Sequence, residues 1–339
     1  MAALPSRPLL LRGLAWAWLG GLVLAALWAW QTGSAQPAAT QLDLSQLSLP
    51  PSARHWLGTD PFGRDVLAVL LAGTRNLLAV SLPAALVATA LGASLGAAAG
   101  YWGNRGLRVR RAAVVVIMFS VVGALVTGPQ LLPRWLLAGA LGATAAHYLP
   151  LRATWPLPLD RLVLAAGAFT ASVPRLVLAL LLAALHAPSK PWLLAVLAGT
   201  CWPPTARLSR TLVAQLRRQP YIEAGRAAGF SDWRILWRHL LPNAKPALRA
   251  SLPLNLTVCF GLQTTLSFLG IGLPPDELDW GRTLADARLE PSAWWLTVGG
   301  LFFLTCTMAA LHLLSATDSR NGTPHSTLKT ADQRVTNKD

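Results

Sequence analysis

Eight apolar stretches, at about 11–30, 77–100, 112–128, 135–150, 162–185, 191–206, 250–272 and 293–316, limit what this chain can fold into. A helix needs about 20 apolar residues to cross the hydrocarbon core of a bilayer, and most of these stretches approach or exceed that length. In lipid every backbone polar group must find its partner internally, so such stretches take helical form. Only 13% of the 339 residues are charged, about half the share in a soluble domain. No period-two alternation marks a sheet. The fold class is therefore all-α: a polytopic membrane protein of about eight transmembrane helices, with 112–128 and 135–150 the shortest pair.

Charge sets the orientation. The net charge of +15 comes mostly from arginines in short runs beside apolar stretches, the pattern of the positive-inside rule. Nucleic-acid binding is excluded on the same ground, because it needs a basic face on a soluble fold. A cytoplasmic N-terminus places 103–111, 151–161 and 207–249 inside, the last holding eight Arg and Lys245 against Glu223 and Asp232. The outer side then receives 35–76 and the acid-bearing segments PPDELDW and ADARLEP. Residues 13–30 are too long for a signal-peptide core and contain Trp16, Trp18 and Trp28, so they read as an uncleaved first helix. The expected organisation is 1–34 as cytoplasmic start and first helix, 35–76 outside, 77–316 as the transmembrane domain, and 317–339 as a polar, disordered cytoplasmic tail. Cys201, Cys259 and Cys306 lie in or beside apolar stretches without a CxxC; no disulfide, metal or cofactor framework is expected.

The 207–249 loop is the anomaly. Pro220 can start a short helix with Glu223 in its first turn, where a carboxylate suits the positive helix end. Gly229 fits the left-handed position after that helix, with Phe230 following. Ser231 or Asp232 can cap a second helix. There Trp233, Leu236, Trp237, Leu240 and Leu241 form an apolar stripe, expected to pack on the chain's own helices, and Pro242 should close the element. Two uses stay open: an interfacial helix with Trp at the headgroups and Arg toward anionic lipid, or a docking element for a cytoplasmic partner, with 221–229 as the gripping half.

The energy source is expected to lie on another chain. None of the fourteen acids sits in the middle of an apolar stretch, and none of the four lysines stands in a G-K-[ST] context. Proton-driven carriers place ionisable groups inside the membrane, and nucleotide hydrolysis needs a phosphate-cradling loop. Arg175, after Pro174, is the exception within the membrane. It reads as a substrate-pathway residue, or as a side chain that snorkels or bonds carbonyls freed by Pro174. Scattered histidines give no protease or metal spacing, so enzymatic activity on this chain is not expected.

Two motifs carry a resemblance. EAGRAAG, nine residues, then the His-Leu-Leu-Pro ending is similar to the EAA signature of ABC-importer permeases, matched at Glu223, Ala224, Gly229, Leu241 and Pro242. Gly225 replaces the third-position Ala, and His239 fills a usually apolar slot. HWLGTDPFGRDVLAVLLAGTRNLL at 55–78, holding Gly58, Thr59, Asp60, Gly63, Arg64 and Asp65, resembles the C-type permeases of dipeptide, oligopeptide and nickel importers. Here Asp60 can cap, and Pro61 begin, a short helix leading into the second crossing. The resemblance implies a six-helix permease core, with 112–150 an inserted helical pair. It implies an ATPase-coupling loop formed by Tyr221, Glu223, Ala224, Gly225, Arg226, Gly229, Asp232, Leu241 and Pro242. Its implied partners are a sister permease in a heterodimer, two ABC ATPase subunits and an extracytoplasmic substrate-binding protein, in the cytoplasmic membrane. Peptide is the implied substrate and a nickel chelate the second choice; an ATP-independent carrier or scaffold is the alternative of another class.

Overall fold

The computed structural model describes residues 7–32, 43, 45–110, 154–185, 189–274 and 277–321, with scattered positions between 116 and 144. α1 is Arg7–Thr32 and α2 is Val66–Trp102. α3 is Leu159–Ser172, α4 Arg175–Ala184, α5 Lys190–Cys201 and α6 Pro203–Leu216. α7 is Pro220–Ala227, and α8 is Asp232–Ile235, followed by a π turn at Leu236–Leu240 and by α9, Leu241–Arg249. α10 is Ser251–Phe268, α11 Trp280–Asp286 and α12 Trp294–Asn321.

The all-α expectation holds, with one addition: β1 (Arg108–Arg110) pairs antiparallel with β2 (Thr154–Pro156). This ladder joins the two ends of the insertion expected at 112–150, most of which lies outside the described residues. Among the described residues three helices are long and apolar enough to cross a membrane: Leu10–Trp28, Val66–Trp102 and Trp294–Ala316.

The expected crossing at 162–185 is broken. α3 and α4 meet at 89°, because Val173 takes an extended conformation (φ −99°, ψ 132°), as a residue before proline prefers. The second crossing begins earlier than expected, at Val66, and Asp65 rather than Asp60 caps it, accepting the Ala68 N–H at 3.0 Å. Pro61 starts no helix; residues 61–63 form a turn. α12 runs to Asn321, past the start of the expected tail.

α2 is the spine. Gly92, Gly96 and Gly100 recur every four residues on one face, opposite Trp202, which precedes α6, and Ala206 and Arg210 within it. A Cβ at these glycines would stand 2.5, 2.1 and 2.5 Å from the carbonyl oxygens of those three residues. Small residues at this spacing let two helix backbones touch, which drives association where lipid supplies no hydrophobic force. The contact is completed by Ser209 Oγ, which donates to the Ala93 carbonyl at 2.8 Å, and by Asn255 Nδ2, which bridges Thr89 and Thr205 at 2.9 Å each. One buried cluster gathers Val80, Ala84 and Ala88 of α2 with Leu193 and Leu197 of α5 and Leu266 of α10. A second, toward the Val66 end of α2, gathers Leu70, Phe260, Trp280 and Leu296.

Candidate functional site

The 220–249 loop folds as a closed joint. Pro220 occupies the first turn of α7, and Gly229 ends it at φ +78°. The Phe230 N–H bonds to the Gly225 carbonyl at 3.0 Å, and the Gly229 N–H to Arg226 at 2.9 Å. These two bonds satisfy the last carbonyls of the helix in the arrangement expected of a left-handed terminus. Ser231 then caps α8. Phe230 lies flat against the His239 ring, centroids 5.8 Å apart, and a Cβ at Gly225 would stand 3.4 Å from the Phe230 ring. The two departures from the EAA pattern, Gly225 and His239, therefore flank the same side chain.

Two expectations for the second helix are corrected. Its buried face is Ile235, Leu236 and Leu240, packed with Ile222, Val213 and Ala97; Trp233 and Trp237 are 61% and 49% exposed. The stripe read at 233–241 follows ordinary helical spacing, whereas the π turn adds a residue and rotates the faces. Nor does Pro242 stop the element, because α9 continues through it to Arg249. A proline ring clashes with the carbonyl four residues back in regular helix. Here the Leu241 N–H reaches back five residues to Leu236, and the widened turn makes room.

Residues 223–234 are exposed apart from half-buried Gly225. Glu223, Ala224, Arg226 and Gly229 thus lie on an open knuckle, while Ile222 anchors it. Tyr221 is exposed and receives the Asn243 amide at 3.1 Å. Asp232 accepts the Tyr101 hydroxyl at 2.5 Å. The Tyr101 ring, 2% exposed at the end of α2, has the Arg217 and Arg226 guanidiniums 5.5 and 5.6 Å from its centroid. Arg217 also donates to the Tyr101 carbonyl at 2.5 Å. Tyr101 and Arg217 were missed in the sequence, since nothing in the spacing of 101, 217, 226 and 232 signals that they meet. Arg210 bonds Asp160 through two nitrogens, and that carboxylate holds the guanidinium above its ordinary pKa.

The 58–65 motif forms a staple on the opposite end. Gly58 (φ +68°) sits where a Cβ would meet the Leu49 carbonyl at 2.6 Å and the Trp295 indole at 2.7 Å. Thr59 is buried, donates to Gln46 at 2.6 Å and accepts from Leu49 at 2.7 Å. Asp60, 2% exposed, accepts the N–H groups of Phe62 and Arg64 at 2.9 and 2.8 Å and the Arg64 Nε at 2.6 Å. Arg64 reaches on to Asp286 at 3.1 Å. Burial pushes the Asp286 carboxyl above its ordinary pKa despite Arg64. Gly63 (φ +77°) lies against the Asp43 backbone. The Asp65 carboxylate accepts the His55 Nδ1–H at 2.8 Å.

Beside this staple runs a buried polar chain that the sequence did not reveal. Ser81 donates to Gln263 at 2.5 Å, and Gln263 donates to Asp279 at 2.9 Å. Asp279 is a loop residue in sequence yet only 3% exposed, and burial raises its pKa against the Gln263 bond. Arg175 is the first residue of α4, at the 89° break, with its side chain exposed.

The family model described as "Binding-protein-dependent transport system inner membrane component" matches residues 138–318, more than half of the chain. A putative peptide transport system permease protein of Brucella suis is 29% identical over 294 residues, covering 86% of this chain and 80% of that one. The dipeptide transport system permease protein DppC of Bacillus subtilis is 27% identical over 273 residues, 80% and 69% of the two chains. The oligopeptide transport system permease protein OppC of Mycobacterium tuberculosis is 28% identical over 253 residues, 75% and 69%.

Proposed function

The chain belongs to the binding-protein-dependent transport system inner membrane components, as an ABC-importer permease of the peptide family, and we propose that it forms half of a transmembrane pathway for peptides. Its sister permease supplies the other half, two ATPase subunits lie on the cytoplasmic side, and an extracytoplasmic binding protein delivers substrate to the outer loops. The observation that carries the coupling reading is the exposed knuckle at 223–234, closed at Gly229 and tied to α2 through Tyr101. A rigid tie transmits displacement; a loop without hydrogen bonds would absorb it. ATP-driven closure of the partner subunits moves α7, and α2 follows. Peptide is favoured over a nickel chelate because the relatives' names specify peptide, dipeptide and oligopeptide transport.

Arg175 is proposed to face the pathway and to meet a substrate carboxylate. The reading is supported by its place at the start of a half-helix, where the helix dipole adds to its charge. One assay in proteoliposomes tests both roles. Glu223→Ala and Gly229→Pro should insert normally and hydrolyse ATP without uptake. Arg175→Gln should lose uptake of peptides with a free C-terminus more than of amidated ones. Normal uptake by both loop variants sinks the coupling role, and equal loss for both peptides sinks the Arg175 role.

A further inference from the structure

We propose that the groove between α2, the π turn and α9 holds an anionic phospholipid of the cytoplasmic leaflet, headgroup at Lys245 and Arg249. The proposal rests on the loop's cytoplasmic placement and goes beyond the transport reading. The groove has a volume of about 420 Å³ and is walled by Trp237, Leu241, Leu248 and Leu252. Lys245 and Arg249, one helical turn apart, stand exposed at its mouth. Among the described residues no carboxylate forms an ion pair with either.

The depth of the groove argues for lipid. Its wall includes Thr89 of α2, about 20 Å along that helix from Trp102 at 1.5 Å per residue. Trp102 stacks on Trp233 at 6.5 Å, and Trp233 meets Trp237 at 5.4 Å. Trp237, exposed at the rim of the groove, is of the kind enriched at the headgroup level of a membrane, and Thr89 lies on α2, a helix long and apolar enough to cross one. Leu252 also borders a second cavity of about 290 Å³, lined by Leu19, Leu82, Leu256 and Phe260 among others. Its polar side chains are Thr74 and Thr307, whose hydroxyls already donate to Leu70 and Phe303. A cationic mouth over an apolar wall matches a phosphate and the start of an acyl chain. Basic pockets between helices on the cytoplasmic side bind anionic headgroups by this geometry.

The test is native mass spectrometry of the full chain with phosphatidylglycerol and phosphatidylcholine. The chain should prefer phosphatidylglycerol, and Lys245→Gln with Arg249→Gln should weaken that lipid about thirty-fold while leaving phosphatidylcholine unchanged. The charge-keeping pair Lys245→Arg with Arg249→Lys should retain binding, which separates charge from misfolding. Equal affinity of the glutamine pair for phosphatidylglycerol overturns the proposal. So does full displacement of the lipid by millimolar inorganic phosphate, which would make the site a free-anion site. In phosphatidylglycerol vesicles carrying the whole complex, a photo-crosslinking analogue replacing Leu248 should capture lipid. Capture of a second polypeptide instead would assign the groove to the sister subunit and overturn the proposal. None of these readouts uses uptake, so they stand apart from the coupling test.

Discussion

Tyr101→Phe is the sharpest test of the joint. The substitution keeps the buried ring and both guanidinium contacts and removes one hydroxyl, which donates to Asp232 at 2.5 Å. A hydrogen bond to a charged acceptor contributes about 1.5–3 kcal/mol. Asp232 is exposed, so water recovers part of the loss and the expected cost is about 1–1.5 kcal/mol, close to a tenfold shift toward a detached loop. Hydrogen exchange of amides 222–240 should quicken by that factor, while exchange in α12 stays unchanged. In a double-mutant cycle, Asp232→Ala should cost a similar amount, and the double variant little more than either single one. In reconstituted complexes uptake per ATP hydrolysed should fall with the same order. Fully additive penalties, or unaltered exchange around Gly229, would refute the claim that this bond ties the loop, through α8, to α2.

Three other outcomes follow from the packing and the charges. Gly96→Ala places a methyl 2.1 Å from the Ala206 carbonyl oxygen and should lower thermal stability by about 1–3 kcal/mol; Gly199→Ala, with open space at its Cβ, should be neutral or stabilising. Asp60→Asn removes one of the two carboxylates on Arg64 and leaves Asp286 as its partner, and thermal melts should record a loss of about 1–3 kcal/mol. For Glu277, burial alone would raise the pKa, but the Lys190 contact at 2.6 Å and the Asn76 bond at 2.8 Å outweigh it and hold the group below its ordinary value of 4.5. A lowered folded pKa means stability that is present above pH 4.5 and lost as pH falls through the folded value, since the unfolded chain binds the proton first. Melts from pH 6 downward should show this loss, and Lys190→Gln should shrink it.

Length and charge pattern carried much of the fold. Stretches such as 11–30 and 293–316 are apolar for longer than any soluble helix requires, so burial in lipid is the state that satisfies them, and α1 and α12 appear there. Local chemistry also fixed the terminus at Gly229, because a left-handed residue followed by an apolar one needs only its neighbours. The glycines at 92, 96 and 100 were visible as a four-residue repeat and went unread, though what they face could not be seen from the spacing alone.

Where one residue's role depends on a distant neighbour, only the tertiary structure decided. Asp279 reads as a loop acid until Gln263 and Ser81 close over it. Trp233 and Trp237 read as core until Ile235 joins Leu236 and Leu240 on the buried face and leaves both indoles outside. Pro242 reads as a stop until the same turn relieves its clash, and the 162–185 stretch reads as one crossing until Val173 and Pro174 bend it by 89°. Periodicity assumes a fixed residue count per turn and a straight axis. The sequence by itself determined which segments leave water. Helix contacts determined which side chains meet, because lipid solvates apolar faces as well as protein does and leaves the choice of partner to close backbone packing and buried hydrogen bonds.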